Sequence, residues 1–256
     1  MLILNIAGKK YNYRSKQSEI TLAVGKEIEE TLKEYSCDCN PEFQRWALAI
    51  LCGCSYDEAA LVQDEQIALL IGIHPFFNNN ILIHHQNFIK IKHKLYKYFD
   101  FKKPMTVEQY GNLDFMAMNE DFDELYLSLY QPVKWYQLKY WFRYLITKNH
   151  KSLNEINYFK YKLALHWYFY HKQELLKKYN LSVEDDGIPE EDKPDPYVLT
   201  DLEKYGLYHV LMELVEDDYD KQERWLKREI GELLKYLKYM NKKTLIKNQQ
   251  LKQVNK

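Results

Sequence analysis

The feature that most constrains this chain is the spacing of its apolar residues, which recur three and four positions apart. Between Glu19 and Tyr35 the apolar positions include Ile20, Val24 and Ile28, and this stripe predicts an amphipathic α-helix. Glycine (8) and proline (7) are scarce among the 256 residues, although both are the usual residues of turns in β-rich folds. The pattern therefore favours a mainly α protein.

Helix-start signals strengthen this prediction. Pro41 stands where the first turn of a helix tolerates proline. Ser55 and Thr106 are followed three residues later by Glu58 and Gln109, so each pair can satisfy free backbone amides in a capping box. Helices are therefore predicted to begin at these three places.

Two short stretches have the pattern of β-hairpins instead. Leu2–Ile6 and Tyr11–Tyr13 flank a glycine-containing turn, which predicts a hairpin at the start of the chain. In residues 88–101 apolar and basic residues alternate with a period of two, so strands are predicted there as well. The predicted fold class is a mainly α helical bundle with these short N-terminal β-hairpin elements.

The order of hairpin and helices recurs along the chain. Ile20-Thr21-Leu22 matches Met105-Thr106-Val107 at an offset of 85 residues, and Tyr11–Tyr13 matches Tyr96–Tyr98 at the same offset. A duplicated unit should keep such an offset, but the identities are few enough to be coincidence in a biased composition. Residues 1–132 are therefore predicted to form two tandem hairpin-plus-helices units, with duplication and coincidence both left open.

The second half of the chain has the pattern of a long-helix region over residues 133–240. Aromatic side chains are dense between Trp135 and Tyr170, and a stripe of this kind is typical of a core or a subunit interface. Trp167 is expected to be buried there, together with Leu211 and Leu233. Helices are predicted over Trp135–Lys148, over Ile156–Tyr179 after a cap at Ser152, from Thr200 to about Glu216, and from Asp220 through Leu237.

Two charged segments of opposite sign lie in this half. Residues 182–197 hold seven carboxylates and three prolines, so an exposed acidic loop is predicted. Residues 227–256 carry a side-chain charge of about +7 and end in a basic C-terminal tail, residues 241–256, that could contact DNA phosphates, an acidic partner or water. The candidate partner-binding residues are Lys238, Lys242, Lys243, Lys247 and Lys252 in the basic segment and Glu184, Asp185, Glu190 and Glu191 in the loop.

Whole-chain properties exclude several classes of protein. Lysine plus arginine (36) nearly cancels aspartate plus glutamate (37), which excludes the overall basic field of a dedicated nucleic-acid binder. No apolar run approaches the roughly 20 residues that span a bilayer. The start of the chain lacks the features of a secretory signal, so synthesis in the cytoplasm is expected.

Motifs for catalysis or metal binding are weak. Cys37-x-Cys39 and Cys52-x-Cys54 could supply thiolates to zinc, but structural zinc sites usually space such pairs by two or more residues. Inert thiols are therefore favoured over zinc or disulfides. The histidines, including the neighbours His84 and His85, lack a metal-binding frame, and no phosphate-binding loop or nucleophile elbow occurs. The sequence predicts a non-enzymatic protein with no metal or cofactor, an enzyme with a composite site being the alternative.

One family resemblance rests on the hairpin-plus-helices pattern of residues 1–133. The helix starts Glu19-Ile20-Thr21-Leu22 and Pro104-Met105-Thr106-Val107, and apolar helices ending at Leu51-Cys52-Gly53 and Leu129–Pro132, resemble small structural proteins of tailed phages of Bacteroides. The crAss-like group, whose virion proteins are rich in Lys, Tyr and Asn, is the most similar in composition. No catalytic motif comes with this resemblance.

The resemblance implies a virion component or assembly factor, in particular a ring or connector protein at the portal–tail interface. Its implied partners are further copies of itself in a homo-oligomeric ring and the neighbouring portal, ring or tail proteins. It would be made in the bacterial cytoplasm and reside in the virion. The alternatives are a tail assembly chaperone, which would be absent from purified particles, and an accessory nucleic-acid-binding protein with a basic tail.

Overall fold

The structure, a computed structural model, describes residues 2–35, 37–74, 76–77, 86–101, 103–134, 137, 140–179, 181, 206–207, 209–216 and 218–254. The predicted mainly α helical bundle is wrong as a fold class. Over the described residues the chain is 61% helical and 14% strand, with one two-stranded and one four-stranded sheet, and is therefore an α/β mix.

Helices and strands alternate along the chain. The strands are β1 (Leu2–Ile6), β2 (Lys9–Tyr13), β3 (Phe88–Ile91), β4 (Lys94–Tyr98), β5 (Tyr130–Pro132) and β6 (Asn149–His150). The helices of the first part are α1 (Leu22–Tyr35), α2 (Pro41–Cys52), α3 (Tyr56–Ala59), α4 (Asp64–Gly72), α5 (Val107–Met118) and α6 (Phe122–Ser128). They are followed by α7 (Trp141–Ile146), α8 (Tyr158–Lys178), a helical segment α9 (209–215), α10 (Tyr219–Leu226) and α11 (Ile230–Val254).

Both predicted hairpins are present. In the β1–β2 hairpin Ile6 pairs with Lys9, and the turn residues Ala7 and Gly8 have φ angles of 49° and 80°. A two-residue turn with positive φ at both positions has a backbone twist that matches the twist of the flanking strands. The β3–β4 hairpin turns at Lys92 and His93, also with positive φ. Because neither of these residues is glycine, that turn is hard to recognise from sequence.

The four-stranded sheet explains why the predicted fold class is wrong. Its order is β5-β4-β3-β6, and β6 runs parallel to β3, with Lys90 opposite Asn149. A helix is predicted over Trp135–Lys148, whereas the structure has the short α7 followed by β6. A strand of two or three residues is too short to show the alternation of apolar and polar residues that predicts strands. The partner of β6, β3, also lies far away in sequence, so neighbouring residues do not indicate the pairing.

Most of the predicted helix caps are confirmed. Ser55 and Thr106 form capping boxes with Glu58 and Gln109. The cap predicted at Ser152 is wrong, because α8 begins at Tyr158 and its first turn is capped by the Asn157 side chain, which accepts the Lys160 N–H at 3.2 Å. The other late boundaries also differ: the helix from Asp220 is broken into α10 and α11 between Leu226 and Ile230, and the predicted cap at Thr200 lies outside the described residues.

The chain divides into two compact units that interleave in sequence. Unit 1 comprises residues 1–98 and 132–164, and unit 2 comprises residues 99–131 and 165–256. Helix α8 contributes its first residues to unit 1 and the rest to unit 2. The predicted ranges 1–132, 133–240 and 241–256 follow the linear sequence instead and remain predictions.

Unit 1 is built around a crossing of two helix starts. The Leu22 N–H donates to the Ile156 carbonyl (2.6 Å) and the Tyr158 N–H donates to the Ile20 carbonyl (3.0 Å). Thr21 and Asn157 thereby form an antiparallel bridge where α1 and α8 begin. The fully buried side chains of this unit include Ile20, Leu22, Ile28, Phe43, Leu48 and Leu51.

Unit 2 repeats this arrangement with other residues. The Val107 N–H donates to the Arg228 carbonyl (2.9 Å) and the Ile230 N–H donates to the Met105 carbonyl (2.8 Å). Thr106 and Glu229 form the bridge where α5 and α11 begin. The buried side chains include Leu125, Tyr126, Tyr168 and the predicted core residues Leu211 and Leu233.

Trp167 is a correction to the predicted core. Its side chain is 39% exposed, and Phe169 and Tyr170 on the same helix are exposed as well, whereas Tyr168 is buried. The aromatic stretch is continuous in sequence, but a helix turns its residues to different sides. Only part of the stripe therefore enters the core.

Candidate functional site

Exposed apolar side chains form the first candidate site, on α5 and α6 of unit 2. Phe115 is 61% exposed, and Met118 follows it three residues later on α5. Phe122, at the start of α6, is also exposed and meets the Phe169 ring edge-on, with centroids 6.5 Å apart. We call Phe115, Met118, Phe122 and Phe169 the aromatic patch. Groups of exposed apolar side chains mark interaction sites more often than single exposed residues do.

A second apolar surface lies on unit 1, around α4. Leu61, Leu69 and Ile73 are each about two-thirds exposed. Leu69 and Ile73 are four residues apart, so they lie on the same side of the helix, whereas Ile67 and Ile71 of the same segment are buried. We call Leu61, Leu69 and Ile73 the aliphatic patch.

The predicted partner-binding lysines fall on α11, which extends through most of the basic tail. Lys238, Lys242 and Lys243 are exposed. With the exposed Lys235, Lys238 and Lys242 have the three-and-four spacing of one helix side. Lys247 and Lys252 lie in α11, but their side chains are outside the described part of the chain, as are Glu184, Asp185, Glu190 and Glu191. The predicted role of the acidic loop therefore stays a prediction.

A buried polar cluster in unit 2 has no counterpart among the sequence predictions. The Asp114 side chain is almost fully buried, and its Oδ1 accepts a short hydrogen bond from the Lys172 ammonium. Its Oδ2 accepts the Leu207 N–H at 3.2 Å. Gly206 precedes that amide with φ of +77°, and a Cβ there would lie 2.6 Å from the Met118 sulfur. Glycine is therefore needed for the backbone to approach the carboxylate.

Two tyrosines complete this cluster. Tyr110 is one turn before Asp114 on α5, and Tyr168 is one turn before Lys172 on α8. Both hydroxyls are buried without a hydrogen-bond partner among the described residues. Burial, and secondarily the charge of Asp114, raises the pKa of Tyr110. Burial, followed by the influence of Tyr110 and Asp114, likewise raises the pKa of Tyr168, so both phenols stay protonated.

The cluster borders a pocket of about 530 Å³ in unit 2. On its α8 wall, His171 stacks on Phe101 with ring centroids 4.7 Å apart, and burial lowers the pKa of His171. Lys172, which is paired to Asp114, lines this pocket together with Lys103, Lys178, Glu174 and Glu229, so side chains of both signs border it. One feature of the sequence could have indicated this cluster. Asp114 lies on the apolar side of α5, next to the buried Leu113.

The cysteines differ from the prediction of inert thiols. Cys37 and Cys39 form a disulfide across the turn before α2, which the Cα–Cα distance of 5.3 Å permits. Cys52 and Cys54 are free, and burial raises the pKa of Cys52 to about 12, which agrees with an unreactive thiol. Among the described residues the one close group of metal-type ligand atoms is Cys37, Asp38 and Cys39, but the disulfide occupies both sulfurs.

The histidines singled out in the sequence are not brought together within the described residues. His84 and His85 lie outside those residues. His93 is at the β3–β4 turn, where its N–H donates to the Asn149 side chain at 2.8 Å. No helix among the described residues is long and apolar enough to cross a membrane.

Comparisons with protein-family models, with curated proteins and with solved structures find no match to this chain.

Proposed function

We propose that this chain is a non-enzymatic structural protein of a tailed-phage virion, of the ring or connector type at the portal–tail interface. It works by contacts between copies of itself and with neighbouring virion proteins. The observation that carries the proposal is the presence of an exposed apolar patch on each unit. The resemblance of residues 1–133 to phage structural proteins supplies the virion setting.

The patches favour a partner that buries apolar surface. Transfer of apolar side chains out of water stabilises an interface by about 25 cal/mol per Å², and aromatic residues and methionine are enriched in the cores of interfaces. The whole-chain charge of −1 gives no strong field for collecting nucleic acid. Contacts between proteins therefore fit these surfaces better than phosphate contacts do.

The unlike composition of the two patches favours a ring of identical subunits. The aliphatic patch is built from Leu61, Leu69 and Ile73, whereas the aromatic patch is built from phenylalanines and a methionine. A contact that joins one patch of a copy to the other patch of the next copy is heterologous, and such contacts close into rings when the rotation allows it. A second copy of this chain is thus the occupant that we propose.

Light scattering coupled to size exclusion tests the proposal on the purified full chain. We expect an oligomer whose mass falls to that of the monomer in the double variant Leu69→Lys/Ile73→Lys and in Phe115→Lys. These side chains are exposed, so the thermal transition should stay within about 2 °C. Gln66→Lys, an exposed polar position on the same α4 helix, should leave the oligomer intact. A wild-type monomer at all accessible concentrations would contradict the ring.

Mass spectrometry of purified phage particles tests the virion setting separately. A ring protein should be present at a fixed ratio to the portal protein. Presence in the infected cell but absence from particles would contradict incorporation and favour the tail assembly chaperone.

A second candidate function is nucleic-acid binding through the lysine row of α11. Lys235, Lys238 and Lys242 lie on one side of that helix, and each phosphate contact should contribute about −0.9 to the slope of log K against log salt for duplex DNA. The variant with all three changed to glutamine should reduce that slope. A matched variant, with exposed Lys33, Lys92 and Lys94 changed to glutamine, has the same net charge and should not.

A further inference from the structure

Unit 1 contains a polar pocket of about 400 Å³ beside its crossing of helix starts. This volume lies within the range of roughly 300–1,000 Å³ that is typical of small-molecule sites. Charged and polar side chains dominate its walls. The lining residues that carry the argument are Arg14, Glu19, Lys148, His150, Glu155 and Lys160.

The fold brings these residues together from separate elements. Thr21 and Asn157, which form the bridge at the starts of α1 and α8, both line the pocket. The first turn of a helix carries partial positive charge from its free amides, so two helix starts add to the positive potential here. His150 enters from β6, which is held in place by its pairing with β3.

The cationic side chains of the pocket differ in whether they already have hydrogen-bond partners in the protein. The Arg14 guanidinium donates to the carbonyls of Ile50 and Leu51 at 2.9 and 3.2 Å, so its position is fixed by the protein. The ammonium groups of Lys148 and Lys160 have no ion-pair or hydrogen-bond partner within the described ranges. Two free ammoniums therefore border one cavity, and Lys160 is only half-exposed.

The two carboxylates of the pocket support the local backbone. Glu19 accepts the Lys16 N–H at 3.3 Å, and Glu155 accepts the Lys151 N–H at 2.8 Å. These two carboxylates offset two of the three cationic side chains, which leaves a net side-chain charge of +1. The partial positive charge of the two helix starts adds to this charge. The pocket therefore favours an anion.

His150 is the second, independent sign of a ligand. It is 8% exposed, and its Nδ1 has no hydrogen-bond partner among the residues that the structure describes. Burial lowers the pKa of His150 first, and the nearby charges of Lys148 and Lys160 lower it further, whereas the charge of Glu155 and a hydrogen bond with its backbone raise it. A buried polar atom without a partner destabilises the fold, and such atoms are rare unless a ligand or water satisfies them.

We propose that this pocket binds the phosphate group of a small phosphorylated molecule. A phosphate offers several acceptor oxygens, which match the ammoniums of Lys148 and Lys160 and an N–H of the His150 imidazole. The remaining volume accommodates a group of about the size of a sugar, so a sugar phosphate fits better than inorganic phosphate alone.

Titration calorimetry on the full chain tests the proposal with inorganic phosphate, ribose 5-phosphate and ribose at constant ionic strength. We expect ribose 5-phosphate to bind more tightly than inorganic phosphate, and ribose not to bind. Binding of inorganic phosphate with equal strength would assign the site to the free ion rather than to the ester. Absence of binding by both phosphates would overturn the proposal.

Variants of the two free lysines locate the site. Lys148→Gln and Lys160→Gln should each weaken phosphate binding about tenfold, because each variant loses one charge-assisted hydrogen bond to the phosphate. Lys151→Gln is the matched control, because Lys151 is an exposed lysine of the same loop that does not line the pocket. Equal losses in all three variants would indicate nonspecific attraction and overturn the proposal.

A spectroscopic measurement on the unaltered chain tests whether the phosphate binds beside His150. Phosphate beside the ring should raise the pKa of His150, in the same direction as Glu155 and against burial and the charges of Lys148 and Lys160. NMR titration of the imidazole nitrogens should therefore show His150 gaining a proton at higher pH when phosphate is bound. An unchanged His150 titration at saturating phosphate would place the ligand elsewhere and overturn the assignment.

Discussion

In unit 1 the start of α1 runs antiparallel to the start of α8, and in unit 2 the start of α5 runs antiparallel to the start of α11. Thr21 and Thr106 occupy the same place in the two crossings, and each is bridged to a distant helix start by two backbone hydrogen bonds. The residue four positions after the threonine is Gly25 in unit 1 and Tyr110 in unit 2. The residue after the bridge partner is Tyr158 in unit 1 and Ile230 in unit 2.

The large aromatic side chain thus comes from opposite chain segments in the two crossings. In unit 1 Tyr158 lies against Gly25, where a Cβ would be only 2.0 Å from the Tyr158 ring. In unit 2 the aromatic residue is Tyr110 itself, and it belongs to the buried cluster of Asp114. One backbone arrangement therefore borders a pocket in each unit, lined by Thr21 and Asn157 in unit 1 and by Tyr110, Tyr168 and Glu229 in unit 2.

Gly25→Ala should break the unit 1 crossing, and we expect it to have the largest effect on stability. The added methyl group would overlap the buried Tyr158 ring, and forced overpacking typically costs 1–3 kcal/mol and occasionally more. The loss in the free energy of unfolding should be about 3 kcal/mol, measured by urea titration. Gly72→Ala in α4, where a Cβ meets no atom within 4 Å, should be neutral or slightly stabilising. A neutral Gly25→Ala would show that Tyr158 does not pack there.

Asp114→Asn should destabilise unit 2 by about 2 kcal/mol. Breaking a buried ion pair costs about 3–5 kcal/mol because the remaining charge is left unpaired, and partial exposure of the Lys172 side chain, at 24%, reduces that cost. The double variant Asp114→Asn/Lys172→Met removes both charges and should recover part of the loss. Chemical denaturation of the unaltered chain, the double variant and the single variants Asp114→Asn and Lys172→Met measures this coupling. Additive effects of the two changes would exclude a coupled pair.

Mild acid should destabilise unit 1 through His74. Burial lowers the pKa of His74, and its neutral ring bonds the Arg14 carbonyl through Nε2 (2.6 Å) and accepts the Phe76 N–H at Nδ1 (3.1 Å). The unfolded histidine, with a pKa near 6.5, binds a proton more readily than the folded one. Stability is therefore complete above that value and falls as the pH drops towards the folded pKa, by at most about 1.4 kcal/mol per pH unit.

Denaturation at pH 7.5 and 5.5 tests this pH dependence. His74→Gln cannot titrate, so it should lose less stability between the two pH values than the unaltered chain. His150 in unit 1 and His171 in unit 2 also have lowered pKa values because of burial, and they contribute in the same direction. An identical pH dependence in His74→Gln would assign the effect to those two residues.

The local structure at each crossing could be predicted from the sequence, but the pairing between distant segments could not. The hairpins and the capping box at Thr106 follow from neighbouring residues, and the offset of 85 already aligned Thr21 with Thr106. The partners Asn157 and Glu229 lie more than a hundred residues away, where no periodicity points to them. Asp114 lies on the apolar side of α5, but its partner Lys172 is 58 residues further along, so the sequence does not show that the carboxylate is paired. Whether the repeated crossing arose by duplication stays a prediction.

Glu29→Gln sharpens the comparison with the smallest expected effect. Glu29 lies eight residues after Thr21, as Asp114 lies eight residues after Thr106, and each carboxylate bonds a lysine of α8. The Glu29–Lys162 pair is 2.8 Å long, but its side chains are 36% and 45% exposed, and exposed pairs contribute only about 0–1 kcal/mol. We therefore expect a loss below about 1 kcal/mol, reduced further by salt. If Glu29→Gln lowers the free energy of unfolding as much as Asp114→Asn does, burial is not the reason why one carboxylate stabilises the fold more than the other.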